Sequence, residues 1–494
     1  MAEYLRPGVF VEEIPSGSYP IEGVGTSAGA FIGVADRGAI NTPRLITNWA
    51  QFVKHFGSYR SDSYLAYAVY GFFLNGGRRC YVSRVADDDA VIASVTLKDR
   101  ESETPVDTLK IQALNEGAWG NDLTIDIEAG TLDATNEFKI VVKEGAVVLE
   151  SWDNLSMIDA DANFVESVIN GNSNYIQVSD QDSETTAPDD QPAVQAATAL
   201  ISGADGTAPV DADYVGVIAT KTGFYAFDDV DDINILAAPG QVADTVVQGG
   251  LTYCEAREDV IYIADITAAA TPAEAKTFRE QFDSSYGACY YPQIKINDLR
   301  TGTVNFIPNS GYIAGVFARS DGERGVHKAP ANEIVRGAIG LEYEITAGEQ
   351  EVLNPAGVNC IRTFVGRGIR IWGARTMSSD SNLRYVHKRR TLMFIEESIG
   401  EAMAWAVFEP NDTVLWGKII RSCNAFLKRQ WMEGALFGNT EAEAYYVKCD
   451  EETNPADVRA AGQVVTEIGV NIVETAEFVI FRIGIWDGGT SITE

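Results

Sequence analysis

A serine, three histidines, two glycine-rich turns and two pairs of aspartates are the residues of this 494-residue chain whose types could carry catalysis. Each lacks the company its chemistry requires. Ser310, in Pro308-Asn309-Ser310-Gly311, has no flanking pattern of a nucleophile elbow, so no hydrolase triad can be drawn around it. Gly366-Arg367-Gly368 lacks the third glycine at a helix start that a dinucleotide loop needs, and reads as a bend in a strand. Gly203-Ala204-Asp205-Gly206-Thr207 has no Lys-Ser/Thr to hold a phosphate and reads as a turn. His55, His327 and His387 stand apart in sequence and read as surface or interface residues. Asp228-Asp229 and Asp231-Asp232 could take a cation, but in a chain of formal net charge −33 they read as a solvated turn. Three histidines make a zinc site improbable, and no cofactor is expected. The six cysteines, Cys80, Cys254, Cys289, Cys360, Cys423 and Cys449, are far apart with no Cys-x-x-Cys pair, which reads as buried free thiols in a reducing compartment.

Basic clusters are the sharper feature, because their background is acidic. Residues 85–260 hold 35 Asp/Glu against 7 Lys/Arg, whereas 361–440 hold 7 against 12. Arg384, His387, Lys388, Arg389 and Arg390 precede one helical pattern, and Lys418, Arg421, Lys428 and Arg429 line the next. They are either solvated helix faces with cations near a helix C-terminus, or a surface that docks on an acidic partner and uses charge to set register. The overall negative charge argues against nucleic acid held through phosphates. The N-terminal residues show no basic region followed by an apolar run and no stretch is long enough to span a bilayer, so the protein is expected to stay where it is made, without membrane insertion.

The elements that must position these residues can be read in outline. Pro7, Pro15 and Pro20 forbid a helix in the first twenty residues, and Val9 to Ile14 is β-prone, so the chain should open as an extended arm. Strands are expected at 29–35 and 80–85, with a helix at 62–74 stopped by Asn75-Gly76-Gly77. Short alternating strands fill 91–180, and an Asp/Glu/Gln/Pro-rich stretch at 180–192 reads as a surface loop. Strands at 214–218, 233–237, 260–265 and 289–291 alternate with helical patterns at 241–256 and 272–285, which implies a mostly parallel sheet. Helices are expected at 388–404 and 412–432, and strands near 463–473 and 477–485. In the second helix Leu415, Trp416, Ile419, Ile420, Cys423, Phe426, Leu427 and Trp431 share the core side, with the cations mainly off it. The fold class is therefore a multidomain α/β and α+β protein: a central mostly parallel α/β layer, an inserted mostly-β domain, a C-terminal α+β domain, and extended N- and C-terminal arms.

Six short motifs, in order along the chain, resemble those of the contractile tail sheath proteins of myovirus-type phages, R-type pyocins and phage-like injection systems. They are Tyr4 to Glu13, Gly311 to Asp321 with Arg324 to Asn332, Leu353-Asn354-Pro355, Asn359 to Arg362, Ile371 to Thr376, and Phe408-Glu409-Pro410-Asn411. His327 departs from the pattern, where the family commonly has an aromatic. The resemblance implies a structural, non-enzymatic subunit that polymerises helically around an inner tube and contracts to drive that tube through a target envelope. The implied partners are further copies of the chain, the inner tube protein, and baseplate and terminal cap proteins, assembled in the bacterial cytoplasm into a virion tail or injection particle. An enzyme on the central α/β domain and a static shell or adhesin are the competing classes.

The implied division is an arm at 1–22, an inner sheath domain at 23–85 plus 346–485, a central α/β domain at 86–90 plus 181–345, an outer β domain at 91–180, and a C-terminal arm at 486–494. The arms would add strands to neighbouring subunits through Val9, Phe10, Val11, Glu12, Glu13 and Ile14 at one end and Trp486, Ser491 and Ile492 at the other. Gly8, Gly17, Gly23, Gly25, Gly484, Gly488 and Gly489 would serve as hinges. Arg384, Lys388, Arg389, Lys418, Arg421, Lys428 and Arg429 would face the tube, and the acidic outer domain would point away from it.

Overall fold

The computed structural model describes residues 20–101 and 103–483. The chain separates into two compact units, the larger comprising Gly25–Val326 and Pro330–Phe394, the smaller Met1–Val24, His327–Ala329 and Ile395–Glu494.

The larger unit is organised by an eight-stranded sheet. Its order is Gly368–Ile371, Val358–Phe364, Gly287–Tyr291, Ile261–Asp265, Ile235–Ala237, Gly29–Gly33, Cys80–Arg84 and Arg44–Ile46. Every pairing from Val358–Phe364 to Cys80–Arg84 is parallel, and only the two outermost are antiparallel. Parallel strands are covered on both faces, which explains why Gly29–Gly33, Ile261–Asp265 and Gly287–Tyr291 are buried at every residue. Phe31, Val69, Phe72, Ile313 and Phe317 pack on one side of the sheet, and Ile32, Leu236, Val247, Leu251 and Tyr262 on the other. Each such side chain contributes about 1.5–3 kcal/mol by leaving water.

This sheet corrects the expected division. Residues 23–85 and the strands within 358–371 do not form a separate domain; they complete the α/β layer. The reason is pairing: the apolar strand Gly29–Gly33 needs a neighbour on each side, and finds Ile235–Ala237 and Cys80–Arg84. The expected strand at 214–218 is instead a helical turn, Asp211–Val215, followed by a 3-10 turn at Ile218–Thr220. Two helices not read from the sequence, Trp49–Phe56 and Ser310–Arg324, also belong here. The second carries the motif Gly311 to Asp321, and its glycines have a packing cause. A Cβ on Gly311 would lie 2.3 Å from Ala68 Cα, and one on Gly315 would lie 2.5 Å from the Phe72 carbonyl oxygen, so the helix Leu65–Asn75 can approach only a glycine surface.

The inserted region is a pair of antiparallel sheets around one core. One has the order Gln195–Ala199, Leu123–Ala129, Phe138–Glu144, Val147–Leu155; the other Ser94–Lys98, Asp107–Ala113, Ile176–Asp180. Leu109, Ile111, Ile125, Ile140, Ile176 and Leu200 share the core between them. The domain therefore runs past the expected end at residue 180, closing with the Val91–Ala204 bridge.

The smaller unit holds the helix Thr413–Met432 and a two-stranded antiparallel sheet, Tyr445–Lys448 with Glu467–Val470. The division between the units falls within the helix Val386–Ala402.

Candidate functional site

Several of the catalytic candidates are spent on structure. Ser310 Oγ donates to Asp265 Oδ2 at 2.6 Å and its backbone N–H donates to Asp265 Oδ1 at 2.9 Å, so this buried carboxylate caps the helix start. Burial pushes the Asp265 carboxyl up, while the bonds from Ser310, Gly240 and Asn309 oppose that. Gly366 and Gly368 both have positive φ in the tight turn joining Val358–Phe364 to Gly368–Ile371, as a bend requires. Gly206 likewise sits at φ 79° in its turn. Asp229 pairs with Lys221, and Asp232 with Arg79 at 2.6 Å. Among the described residues no group of three or more His, Cys, Asp or Glu could hold a metal ion, and no helix is long and apolar enough to cross a membrane. His387 is not a surface residue: it is 1% exposed. His55 is half-buried, and desolvation, then Arg44, Lys54 and Arg37, lower its pKa to about 4.

The two basic clusters have different fates, and they lie in different units. Arg390 is paired with Asp321 at 3.0 and 2.6 Å, both side chains 3% exposed, and its guanidinium lies 5.0 Å from the Phe317 ring centroid. It also donates to the Thr26 carbonyl at 2.7 Å, while Thr26 Oγ1 donates to Asp321 at 3.0 Å. Arg389 is buried with its guanidinium 4.4 Å from the Tyr286 ring centroid, so it cannot serve as the surface contact expected of it. Arg384 is exposed and Lys388 is half-buried.

On the helix Thr413–Met432 the core side is occupied by Leu415, Trp416, Ile419, Cys423, Phe426 and Leu427, as the periodicity predicts, whereas Ile420 and Trp431, expected with them, are only half-buried. Asp412 caps its start, accepting from the Val414 and Leu415 N–H groups at 2.9 Å each. Val414, Lys418, Arg421, Ala425, Lys428 and Met432 follow at spacings of four and three, which puts them on one face; all but the half-buried Lys418 are exposed. Lys418 Nζ lies 5.9 Å from the Trp405 ring centroid, and Lys428 pairs with Glu441 at 2.6 Å, a bond that lowers the Glu441 pKa. Arg429 has a different task, since it donates to the Ile21 carbonyl at 2.8 Å and so holds the root of the N-terminal segment. Nearby, the Val24 N–H donates to Ser398 Oγ at 3.2 Å.

Gly23 and Gly25 are exposed and flank the division between Val24 and Gly25. Gly8, Gly17, Gly484, Gly488, Gly489, Trp486, Ser491, Ile492 and the run Val9, Phe10, Val11, Glu12, Glu13, Ile14 lie outside the described residues.

The feature that sequence reasoning placed but could not pair is the run Phe478-Val479-Ile480-Phe481-Arg482-Ile483. A strand was expected there, and the composition is that of a strand. It has no strand partner among the described residues, and its five apolar side chains are 67–95% exposed. The same unit has a sheet of only two short strands, on which Tyr446 is exposed and near which Phe437 is exposed. Two strands are marginal alone, and unpaired edges template the addition of another.

Two family models match the chain consecutively: phage tail sheath protein central domain at residues 221–377 and phage tail sheath C-terminal domain at 378–485. A prophage major tail sheath protein of Pseudomonas aeruginosa is 27% identical over 259 residues, covering 51% of this chain and 65% of that one. The tail sheath protein of Burkholderia phage BcepMu is 27% identical over 297 residues, covering 55% and 61%. The match thus spans just under two thirds of these relatives. Among solved structures, the sheath complex of the extracellular contractile injection system PVC in its contracted state aligns at a TM-score of 0.62 and 20% identity, over 98% of both chains. A sheath tail protein of Listeria innocua aligns at 0.63 and 15%, over 92% and 97%.

Proposed function

The chain belongs to the phage tail sheath protein family, and from that premise we propose that it is the structural subunit of a contractile sheath, polymerising helically around an inner tube and contracting to drive that tube through a target envelope. The observation that carries this reading is the exposed apolar run Phe478–Ile483. An apolar β-prone segment of this kind in water is a segment awaiting a partner.

In this reading the run and the two arms add strands to the small sheet of neighbouring copies, around Tyr445–Lys448 and Glu467–Val470. Main-chain hydrogen bonds would link subunits into a mesh, while Gly23 and Gly25, with the glycines of the arms, absorb the backbone rotation that contraction demands. Work comes from a metastable extended state relaxing to one that buries more surface, so no cofactor enters the cycle. The partners are other copies, the inner tube protein, and baseplate and terminal cap proteins. Assembly takes place in the bacterial cytoplasm before the particle is released. The exposed cations Arg421 and Lys428, with the half-buried Lys418 beside them, face an acidic tube surface, and the acidic inserted domain faces solvent.

Sedimentation of the purified chain tests the carrying observation. The wild type should pellet as a polymer. Phe478→Asp combined with Ile480→Asp should leave a dispersed monomer with an unchanged melting temperature, because neither side chain is buried in the folded unit. A variant that pellets like the wild type would remove the support this run gives.

A further inference from the structure

The motif Phe408-Glu409-Pro410-Asn411 has no part in the proposed strand exchange, yet it contains a residue in an uncommon backbone conformation. Phe408 has φ +66°, a region that bulky side chains rarely occupy, and its ring is fully exposed at 102% of its reference area. Val407 beside it and Val414 on the first turn of the following helix are 64% and 61% exposed. The turn is firmly built. The Glu409 N–H donates to the Ala406 carbonyl at 3.2 Å and the Asp412 N–H to the Pro410 carbonyl at 2.9 Å. Asn411 accepts from Trp416 Nε1 at 2.9 Å and donates to the Gln463 carbonyl at 2.8 Å, and Asp412 caps the helix. A strained backbone and a ring left in water, both held in place by neighbours, are the marks of a group preorganised for something outside the chain.

We propose that Phe408, with Val407 and Val414, is an apolar anchor that seats in a recess of the acidic tube surface at the head of the cationic helix face. The inference rests on the sheath reading and deepens it. Val414, Lys418 and Arg421 are spaced i, i+4, i+7, so the partner that meets the cations also meets this turn. Arg421, exposed on that face beside the half-buried Lys418, favours an acidic partner, and a buried aromatic at the edge of a charged contact supplies the affinity that exposed ion pairs do not.

Phe408→Asn is the discriminating variant, because asparagine tolerates positive φ and costs nothing in burial at a fully exposed site. The full-length variant would be compared with wild type by thermal melting, by polymerisation alone, and by co-sedimentation with purified tail-tube protein. We expect an unchanged or higher melting temperature, normal polymerisation alone, and co-sedimentation weakened about tenfold or more, with Phe408→Tyr restoring it. Co-sedimentation within about twofold of wild type would overturn the anchor. Loss of polymerisation in the absence of tube protein would overturn it too, placing the ring between copies of the chain. Should the wild type itself polymerise but never associate with tube protein, the tube reading beneath the proposal would fall with it.

Discussion

Two helices carry basic clusters of similar composition, and the structure uses them in opposite ways. In the helix Val386–Ala402, Arg390 is sealed against Asp321 and Phe317 and Arg389 lies over Tyr286, so these cations hold the larger unit together. In the helix Thr413–Met432, Arg421 and Lys428 stand on the exposed face and Lys418 half-emerges beside them. Charge in a sequence marks a place where a counter-charge will be met. Whether that counter-charge comes from the same chain or another depends on what the rest of the fold brings up to it.

The comparison can be broken at its strongest point first. Arg390→Ala leaves the Asp321 carboxylate buried without its cation, which should cost about 3–5 kcal/mol in chemical denaturation, while Arg390→Met with Asp321→Leu should recover most of that. A loss under about 1 kcal/mol for Arg390→Ala would mean that the two clusters do not differ as described. Arg429→Gln is intermediate: it gives up a charge-assisted bond to the Ile21 carbonyl, worth about 1.5–3 kcal/mol at most, and should expose the N-terminal segment to protease sooner than wild type. Asp412→Ala removes two bonds from the helix start and should cost about 1 kcal/mol of stability. Reversal of Lys418, Arg421 and Lys428 to Glu should move folding stability by no more than about 0.5–1 kcal/mol, yet weaken binding to tube protein in a salt-dependent way.

A pH titration sharpens the contrast between buried and exposed charge by a smaller amount. The His55 pKa is lowered to about 4 in the folded protein from an ordinary 6.5. The neutral ring therefore supports the fold above pH 6.5, and that support is lost as pH falls toward 4, because the unfolded chain binds the proton more readily. His55→Gln should flatten stability against pH across that window. His55 is partly exposed, so the effect will be modest.

Much of the local structure was legible. Asn75-Gly76-Gly77 stops the helix Leu65–Asn75 where expected, and the Leu415 to Leu427 periodicity gives both the helix and its buried side. The short strands of the inserted domain fall where their alternation puts them. What local pattern could not give was pairing over distance. Gly29–Gly33 was readable as a buried strand, but its partners lie about 50 and 200 residues away, so its place in the central sheet was misassigned. Arg389 and Arg390 were read as surface for the same reason: Tyr286 and Asp321 come from elements 69 and more residues distant. The composition of Phe478–Ile483 predicts a strand, but these residues form none in the structure, because strand propensity needs a paired neighbour to become a strand. Among the described residues no strand pairs with this run.

Electron microscopy of the purified protein, alone and together with tail-tube protein, tests the central claim most directly. A contractile sheath subunit should form ordered helical polymers with two geometries, a narrow one around tubes and a wider, more compact one without them, and both should vanish when Val9 to Glu13 is deleted. A single fixed geometry, or dispersed monomers in every condition, would contradict it.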